Sequence, residues 1–393
     1  MTIIIDPPNA AGHGRLWSHL ASDTSYDELH AFALGMGVPQ RGFDRDHYDV
    51  PSEWYDRVVA AGATPVTSRE LIHRLRAAGL RRRKSEALRP RKPGRTLLRP
   101  RILAPGDTVA TVAPAGPASP ERVAAGLAEL RSWGLEVREP GPAGTAPHSW
   151  LVDSDRARAD ALTAAWLDPG VAAVWCVRGG YGAQRVVDLL DWEALAHATP
   201  KLLVGFSDVT ALHQAFAARL GVATVLGPVL TSIAEADEAT RVATRRLLMD
   251  GRATDVPGST AVPGGADGVL VGGNLTVLAT SAGTPLTHEA TDSIAVLEDV
   301  REEPYRLDRS ITQLLRAGWF DGVRGIVCGQ FTACGDDPQV VRALLMDRLG
   351  SLGVPLLLDA PMGHDRSNLP LPLGVRARLD VADSGRGLLS VPD

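Results

Sequence analysis

The sequence predicts an α/β protein in three parts: a small N-terminal α/β domain over 1–80, a doubly wound parallel-sheet domain over 100–250, and a smaller C-terminal α/β domain over 269–393. Three observations carry this. Val171-Ala-Ala-Val-Trp-Cys-Val177 is an almost unbroken apolar run that ends in a Gly-rich turn and a helix pattern, the mark of a parallel strand covered on both faces. Lys201–Gly205 repeats the design and runs straight into a second helix pattern. Between the first two parts, residues 81–101 hold ten Lys/Arg and one Glu, a composition that cannot bury a core and reads over 81–99 as a linker.

The elements follow in order. Thr2–Ile5 is a buried-strand pattern ended by Asp6-Pro-Pro. Asp23–Gly37 predicts a helix with Leu29, Phe32 and Ala33 inward, and Thr64 onward predicts a short strand leading to a helix capped at Ser68. After the linker, Thr108–Ala113 is a strand. Ser119-Pro120 opens a helix, with Ser as cap and Pro at the first helical position. Residues 250–268 are polar and turn-rich and are expected to separate the last two domains. Beyond them Ile294–Leu297 and Ile326–Val327 read as strands, Tyr305–Ala317 as a helix, and the final 25 or so residues as short strands.

Composition narrows the function classes. With 45% hydrophobic and 22% charged residues in 393, the bulk of the chain is an ordinary globular protein and not a disordered or fibrous one. No apolar run approaches the roughly 18–20 residues of a membrane helix, and no secretory signal is visible at Met1–Asp6. Three Cys (Cys176, Cys328, Cys334) cannot make a disulfide framework, so the expected compartment is the cytoplasm. The formal net charge of −5 conceals an uneven distribution: the basic stretch carries +9 and the rest of the chain −14. A solvated tether is preferred over a nucleic-acid contact for that stretch, because it lacks interleaved aromatic residues.

The chemistry concentrates at Gly205-Phe206-Ser207-Asp208. A strand that stops at a Ser and turns directly into a helix projects the hydroxyl from the carboxyl edge of the sheet, and the N–H that follows, that of Asp208, can stabilise an oxyanion. The preceding strand ends in Arg178-Gly-Gly-Tyr-Gly182, so this loop faces the same cleft. It lacks the spacing of a nucleotide-binding loop. A Ser nucleophile needs a base and a group to orient that base. His364, in the turn-forming segment Pro361–Asn368, is the candidate base, whereas His213 is expected to pack on its helix or face solvent. Glu298 or Asp299, at the end of an apolar strand, is the candidate acid.

Residues 100–385 resemble the LD-carboxypeptidases (murein tetrapeptide carboxypeptidases), serine peptidases related to the microcin C self-immunity protein. The matching segments are ILAPGDTVATVAPAGP, VWCVRGGYGAQR, KLLVGFSDVTALH, VGGNL, GTP, VLEDVREEPYRLDR and GHDRSNLPLPLG. The resemblance implies Ser207 as nucleophile, Glu298 as the residue orienting the base and His364 as the base. It also implies an oxyanion hole from the N–H groups of Asp208 and a glycine of the loop, Gly180, beside Gly179. It implies cleavage of an L,D-peptide bond in murein-type tetrapeptides with release of D-Ala, no metal or organic cofactor, and a homodimer. Arg178 and Arg309 are candidates to hold the substrate's terminal carboxylate. Two rival readings are a peptidase acting on peptidyl-nucleotides and a binding protein acting through the front domain; neither a membrane nor a nucleic acid is an expected partner.

The first 80 residues resemble a small bacterial domain of unknown function through HGRLWSHLASD, ELHAFA and FDRDHYDV. Its polar residues Asp6, His13, His19, Asp23, His47 and Asp49 are of types that suit a divalent metal or a phosphodiester. No HExxH or CxxC spacing accompanies them, so structural histidines are the preferred reading and no metal is assigned.

Overall fold

A computed structural model describes residues 2–12, 15–38, 43–44, 46–78, 80, 96–141, 144–288 and 290–392. The chain divides into two compact units near residue 90. The basic stretch lies outside the described residues as far as residue 95. Its last part belongs to the second unit: Leu97 is buried beside Ala217, Ala223 and Val375, its N–H donates to Gly374 O (2.7 Å), and Leu98 bridges Val222.

The first unit runs β1 (Ile3–Ile5), β2 (Ala10–Gly12), β3 (Arg15–Ser22), α1 (Tyr26–Gly35), β4 (Phe43–Asp44), β5 (His47–Pro51), α2 (Tyr55–Ala60), β6 (Thr64–Pro65) and α3 (Ser68–Ala77). The strand order is β4-β5-β3-β1-β6, with β2 also paired to β3. Strand residues alternate between faces, which explains three consecutive buried isoleucines. Ile3 and Ile5 pack with Leu29, Ala33, Tyr48 and Val50. Ile4 packs on the other side with Ala21, Leu71 and Leu75. Ser25 caps α1 by accepting from the Glu28 N–H. The α3 cap lies one residue before the expected Ser68, at Thr67, whose hydroxyl accepts from the Glu70 N–H.

The second unit opens with β7 (Thr108–Val112), α4 (Pro120–Ser132), β8 (Glu136–Arg138), α5 (Asp155–Leu167), β9 (Val171–Cys176), α6 (Ala183–Val187), α7 (Trp192–His197), β10 (Leu202–Gly205), a 3-10 turn at Ser207–Val209, α8 (Thr210–Arg219), β11 (Thr224–Leu226), α9 (Leu230–Ile233) and α10 (Glu238–Asp250). Ser119 caps α4 with Pro120 at its first turn, as expected. Strands β8, β7, β9, β10 and β11 lie side by side in parallel. Connections leave β7 in one direction and return past it in the other, so the strand order switches between β7 and β9. At such a switch point the loops beyond the carboxyl ends part and leave a crevice.

The chain then forms β12 (Val256–Val262), β13 (Gly264–Asn274), α11 (Leu275–Ser281), β14 (Ser293–Val300), α12 (Pro304–Arg316), β15 (Gly325–Thr332), α13 (Pro338–Gly350), β16 (Leu356–Leu358), β17 (Leu371–Leu373), β18 (Arg376–Val381) and β19 (Arg386–Ser390). Strand β17 adds antiparallel to β11 in the first sheet. The others close a barrel in the order β12-β16-β15-β14-β13-β18-β19. The expected turn-rich separator at 250–268 is therefore strand: β12 and the start of β13. Small and polar residues are tolerated there because β12 is only half-buried beyond Val256, and pairing with β16 and β19 supplies the backbone partners that apolar patterning would otherwise announce. Along β13–β15, Val269, Val271, Ala295, Leu297 and Ile326 pack against helices α11–α13. The alternating Leu270, Ile294, Val296 and Val327 join the core continuous with the sheet.

Candidate active site

Ser207 has φ +63°, a left-handed backbone on a residue other than glycine. Such a conformation costs about 1–3 kcal/mol, and here it lets the chain turn from β10 into the 3-10 turn with the hydroxyl at the sheet's carboxyl edge. The turn is pinned from beneath. The His213 imidazole on α8 is buried and lies 2.8 Å from Gly205 O through Nε2. Burial pushes its pKa down to about 4, so the ring is neutral and its Nε2–H donates. The buried Asp208 carboxylate accepts from the Ala183 N–H at the start of α6 (2.8 Å), which ties the turn to the loop after β9. Burial pushes this carboxyl above its ordinary pKa.

That loop touches the elbow directly. A Cβ on Gly179 would lie 3.0 Å from Ser207 Cβ, 3.2 Å from Ser207 Oγ and 3.3 Å from Asp208 N. Gly180 has φ +105°. The Gly116 N–H holds Gly179 O (3.1 Å), and in a trans peptide the next N–H points opposite to that carbonyl, so the Gly180 N–H is turned away from Gly116.

The alternation along β14 decides between the two acids at its end. Asp299 turns toward α11, where it accepts from Asn274 Nδ2 (3.0 Å), the Thr276 N–H (2.9 Å) and Thr276 Oγ1 (2.8 Å). Burial and the neighbouring Glu298 charge push its carboxyl up; it anchors a helix start. Glu298, 1% exposed, turns to the opposite face and its Oε2 lies 2.7 Å from His364 Nδ1. Its other oxygen, Oε1, is buried without a hydrogen-bond partner among the described residues, so the carboxylate depends on His364. An unpaired buried carboxylate costs several kcal/mol. A register shift between Leu297 and Asp299 in the pairing with β15 bends the strand where this divergence occurs.

His364 sits in a loop held by two side chains that sequence reasoning passed over. Asn368 accepts from the Gly363 N–H (3.0 Å). Gln330 accepts from the Asp365 N–H (3.0 Å) and donates to Ser367 O (2.9 Å). The imidazole packs against Phe206, ring centroids 4.8 Å apart.

Ser207, His364, Arg178, Gly179 and Gly180 line one cavity of about 480 Å³, together with Phe206, Thr231, Thr332, Arg122 and Arg301. Arg309 is not among the lining residues; its guanidinium lies 5.4 Å from the centroid of the Tyr305 ring. Arg178 donates to Pro117 O. Arg122 pairs with Glu235 (2.6 Å), whereas Arg178 and Arg301 have no carboxylate partner among the described residues. Arg301 and Gln330 went unremarked in the sequence because their place depends on how β14 and β15 are brought together. Arg301 lies within the matching segment VLEDVREEPYRLDR, but nothing in that run singles it out, and Gln330 lies outside every matching segment.

The arrangement is a hydroxyl on a strained turn and an imidazole backed by a buried carboxylate, both facing a pocket in which two guanidinium groups, of Arg178 and Arg301, have no carboxylate partner among the described residues. It has the parts for acyl transfer. Residues 109–227 match the family described as LD-carboxypeptidase N-terminal domain, and 267–379 the LD-carboxypeptidase C-terminal domain. Residues 3–78 match a family described as a protein of unknown function (DUF4031). A putative carboxypeptidase of Streptomyces coelicolor is 47% identical over 317 residues, 76% of this chain and 98% of that protein. The murein tetrapeptide carboxypeptidase of Pseudomonas aeruginosa is 34% identical over 291 residues, 69% of this chain and 92% of that protein. Among solved structures, the microcin C7 self-immunity protein MccF in its wild-type apo state superimposes with a TM-score of 0.62 at 21% identity, covering 76% of this chain and 98% of that one, a likeness of fold. From the residues of its pocket to nearly the full length of its relatives, the chain belongs to the LD-carboxypeptidase family of serine-type peptidases.

Proposed function

We propose that this protein removes the terminal D-Ala from murein-type tetrapeptides, cleaving an L,D-peptide bond during cell-wall recycling. The observation that carries the reading is the 2.7 Å contact between His364 Nδ1 and buried Glu298, facing the cavity into which the strained Ser207 turn also opens. Glu298 holds the proton on Nδ1 and leaves Nε2 to take the Ser207 proton as Oγ attacks the carbonyl. The N–H groups of Asp208 and Gly180 receive the oxyanion. His364 then returns its proton to the leaving D-Ala amine, and water releases the acyl-enzyme by the same route. Arg178, joined by Arg301, holds the terminal carboxylate that makes the reaction a carboxypeptidase one. None of these steps calls on a metal or organic cofactor. The relative named for murein tetrapeptide supports the substrate class.

The test is incubation of wild type and Ser207→Ala with murein tetrapeptide, following tripeptide and D-Ala by mass spectrometry. Wild type is expected to release D-Ala and the variant to fall by at least about 10⁴-fold. Absence of product from wild type overturns the substrate, and turnover of an aminoacyl-nucleotide in its place assigns the protein to the immunity-like rival. Equal rates in both proteins overturn Ser207.

A further inference from the structure

The first unit contains a group of side chains that the peptidase reaction does not use. The pairing of β3 with β5 sets His19 directly opposite Asp49. Two residues back on β5, His47 shares the face of Asp49, while Tyr48 and Val50 turn into the core. On the other side of β3, the pairing Ile5↔Leu20 brings Asp6 beside His19, fixed by the Asp6 N–H to His19 O (3.2 Å) and the His19 N–H to Asp6 Oδ1 (2.6 Å). The sheet register alone thus assembles a polar row on the face that carries α3.

We propose that His19, His47 and Asp49 form a binding site for a zinc-class divalent ion, with Asp6 and Asp46 as the carboxylates that aim the two imidazoles.

One ligand atom from each of the three lies within 4.8 Å of the others. His47 Nε2 and Asp49 Oδ1 are already 3.4 Å apart, roughly the edge of a tetrahedron with metal–ligand bonds of about 2.1 Å. Asp49 is 48% exposed on its side chain and free to swing, so it supplies the remaining closure. The two rings stand at 74° with centroids 4.9 Å apart; they converge edge to face and do not stack.

The second observation is what lies behind the rings. Asp6 Oδ2 is 2.9 Å from His19 Nδ1, and Asp46 Oδ1 is 2.7 Å from His47 Nδ1. Both carboxylates are 1% exposed. A buried carboxylate on Nδ1 fixes the tautomer that leaves the lone pair on Nε2, makes that nitrogen a better donor, and is the usual support of metal-bound histidine. It occurs twice here, for two rings on one face. Two nitrogens and one oxygen suit Zn²⁺ or Co²⁺ over Mg²⁺ or Ca²⁺, which favour all-oxygen ligand sets. Three protein ligands leave a coordination position for water or a substrate oxygen.

The experiment uses the full chain, stripped with a chelator and titrated with CoCl₂ by visible absorption and with ZnCl₂ by calorimetry. Wild type and Ser207→Ala are expected to take up one ion per chain at micromolar or tighter affinity. Affinity is expected to fall at least about 100-fold in His47→Ala and about 10–100-fold in Asp46→Asn. Thermal melts accompany each variant, and if His47→Ala fails to fold, His19→Gln and Asp49→Asn replace it. Tetrapeptide hydrolysis should stay unchanged in every front-unit variant. No saturable uptake by wild type, or unchanged affinity in the folded ligand variants, overturns the site.

Discussion

Both units pin a histidine through Nδ1 to a carboxylate that is almost wholly buried: His364 on Glu298 in the second unit, His19 on Asp6 and His47 on Asp46 in the first. What differs is the group brought to the other side of the ring. In the second unit a single imidazole faces the cavity that a strained hydroxyl also enters, the arrangement for moving a proton. In the first, two imidazoles converge with a third carboxylate, the arrangement for holding a cation. A carboxylate–histidine pair therefore sets tautomer and direction, and its neighbours set the chemistry.

The comparison breaks most readily at Glu298. Glu298→Gln keeps the shape but cannot stabilise an imidazolium, and kcat for tetrapeptide should fall about 10³–10⁴-fold with little change in KM. The analogous Asp46→Asn in the first unit should leave that rate alone. A Glu298→Gln enzyme within tenfold of wild type would show that the Glu298–His364 pair is structural.

A smaller effect is expected at Gly179, whose added Cβ would press on Ser207 Oγ and the Asp208 N–H. Gly179→Ala should lower kcat by about 10–100-fold while the protein melts as wild type does. Full activity would mean that the loop does not define the position of the attacked carbonyl.

The smallest effect is on stability, at His213, a buried imidazole with no carboxylate partner among the described residues. His213 has its pKa lowered to about 4, below the roughly 6.5 of the unfolded chain. Its contribution is therefore full above about pH 6.5 and is lost as pH falls from there toward 4, by about 3 kcal/mol in all. His213→Gln retains a donor for Gly205 O and should flatten the pH dependence of urea unfolding between pH 7 and 4.5. Equal slopes in both proteins would remove His213 as the titrating group.

Much of the second unit was legible because its strands are covered on both faces and so read as unbroken apolar runs: Val171–Val177 and Lys201–Gly205 became β9 and β10 almost to the residue. Strand β12 was missed for the opposite reason, since half-buried barrel pairing needs little hydrophobicity. At the site, Ser207 and His364 stood out from turn chemistry and motif likeness. Glu298 could not be separated from Asp299 on composition, because their difference is one of direction. Arg301 entered the pocket, and Arg309 stayed outside it, for reasons of strand and helix geometry that no local pattern encodes.

Residue order was sufficient for what depends on neighbours along the chain: strand and helix periodicity, the cap at Ser119, the strand-to-helix turn that bears Ser207, and the family. Tertiary structure alone decided what depends on residues far apart. It paired Glu298 with His364 across 66 positions, and it set His19 against Asp49 through sheet register. Register and packing are fixed by which faces can be buried together, a property of the whole sheet that is not written at any single position.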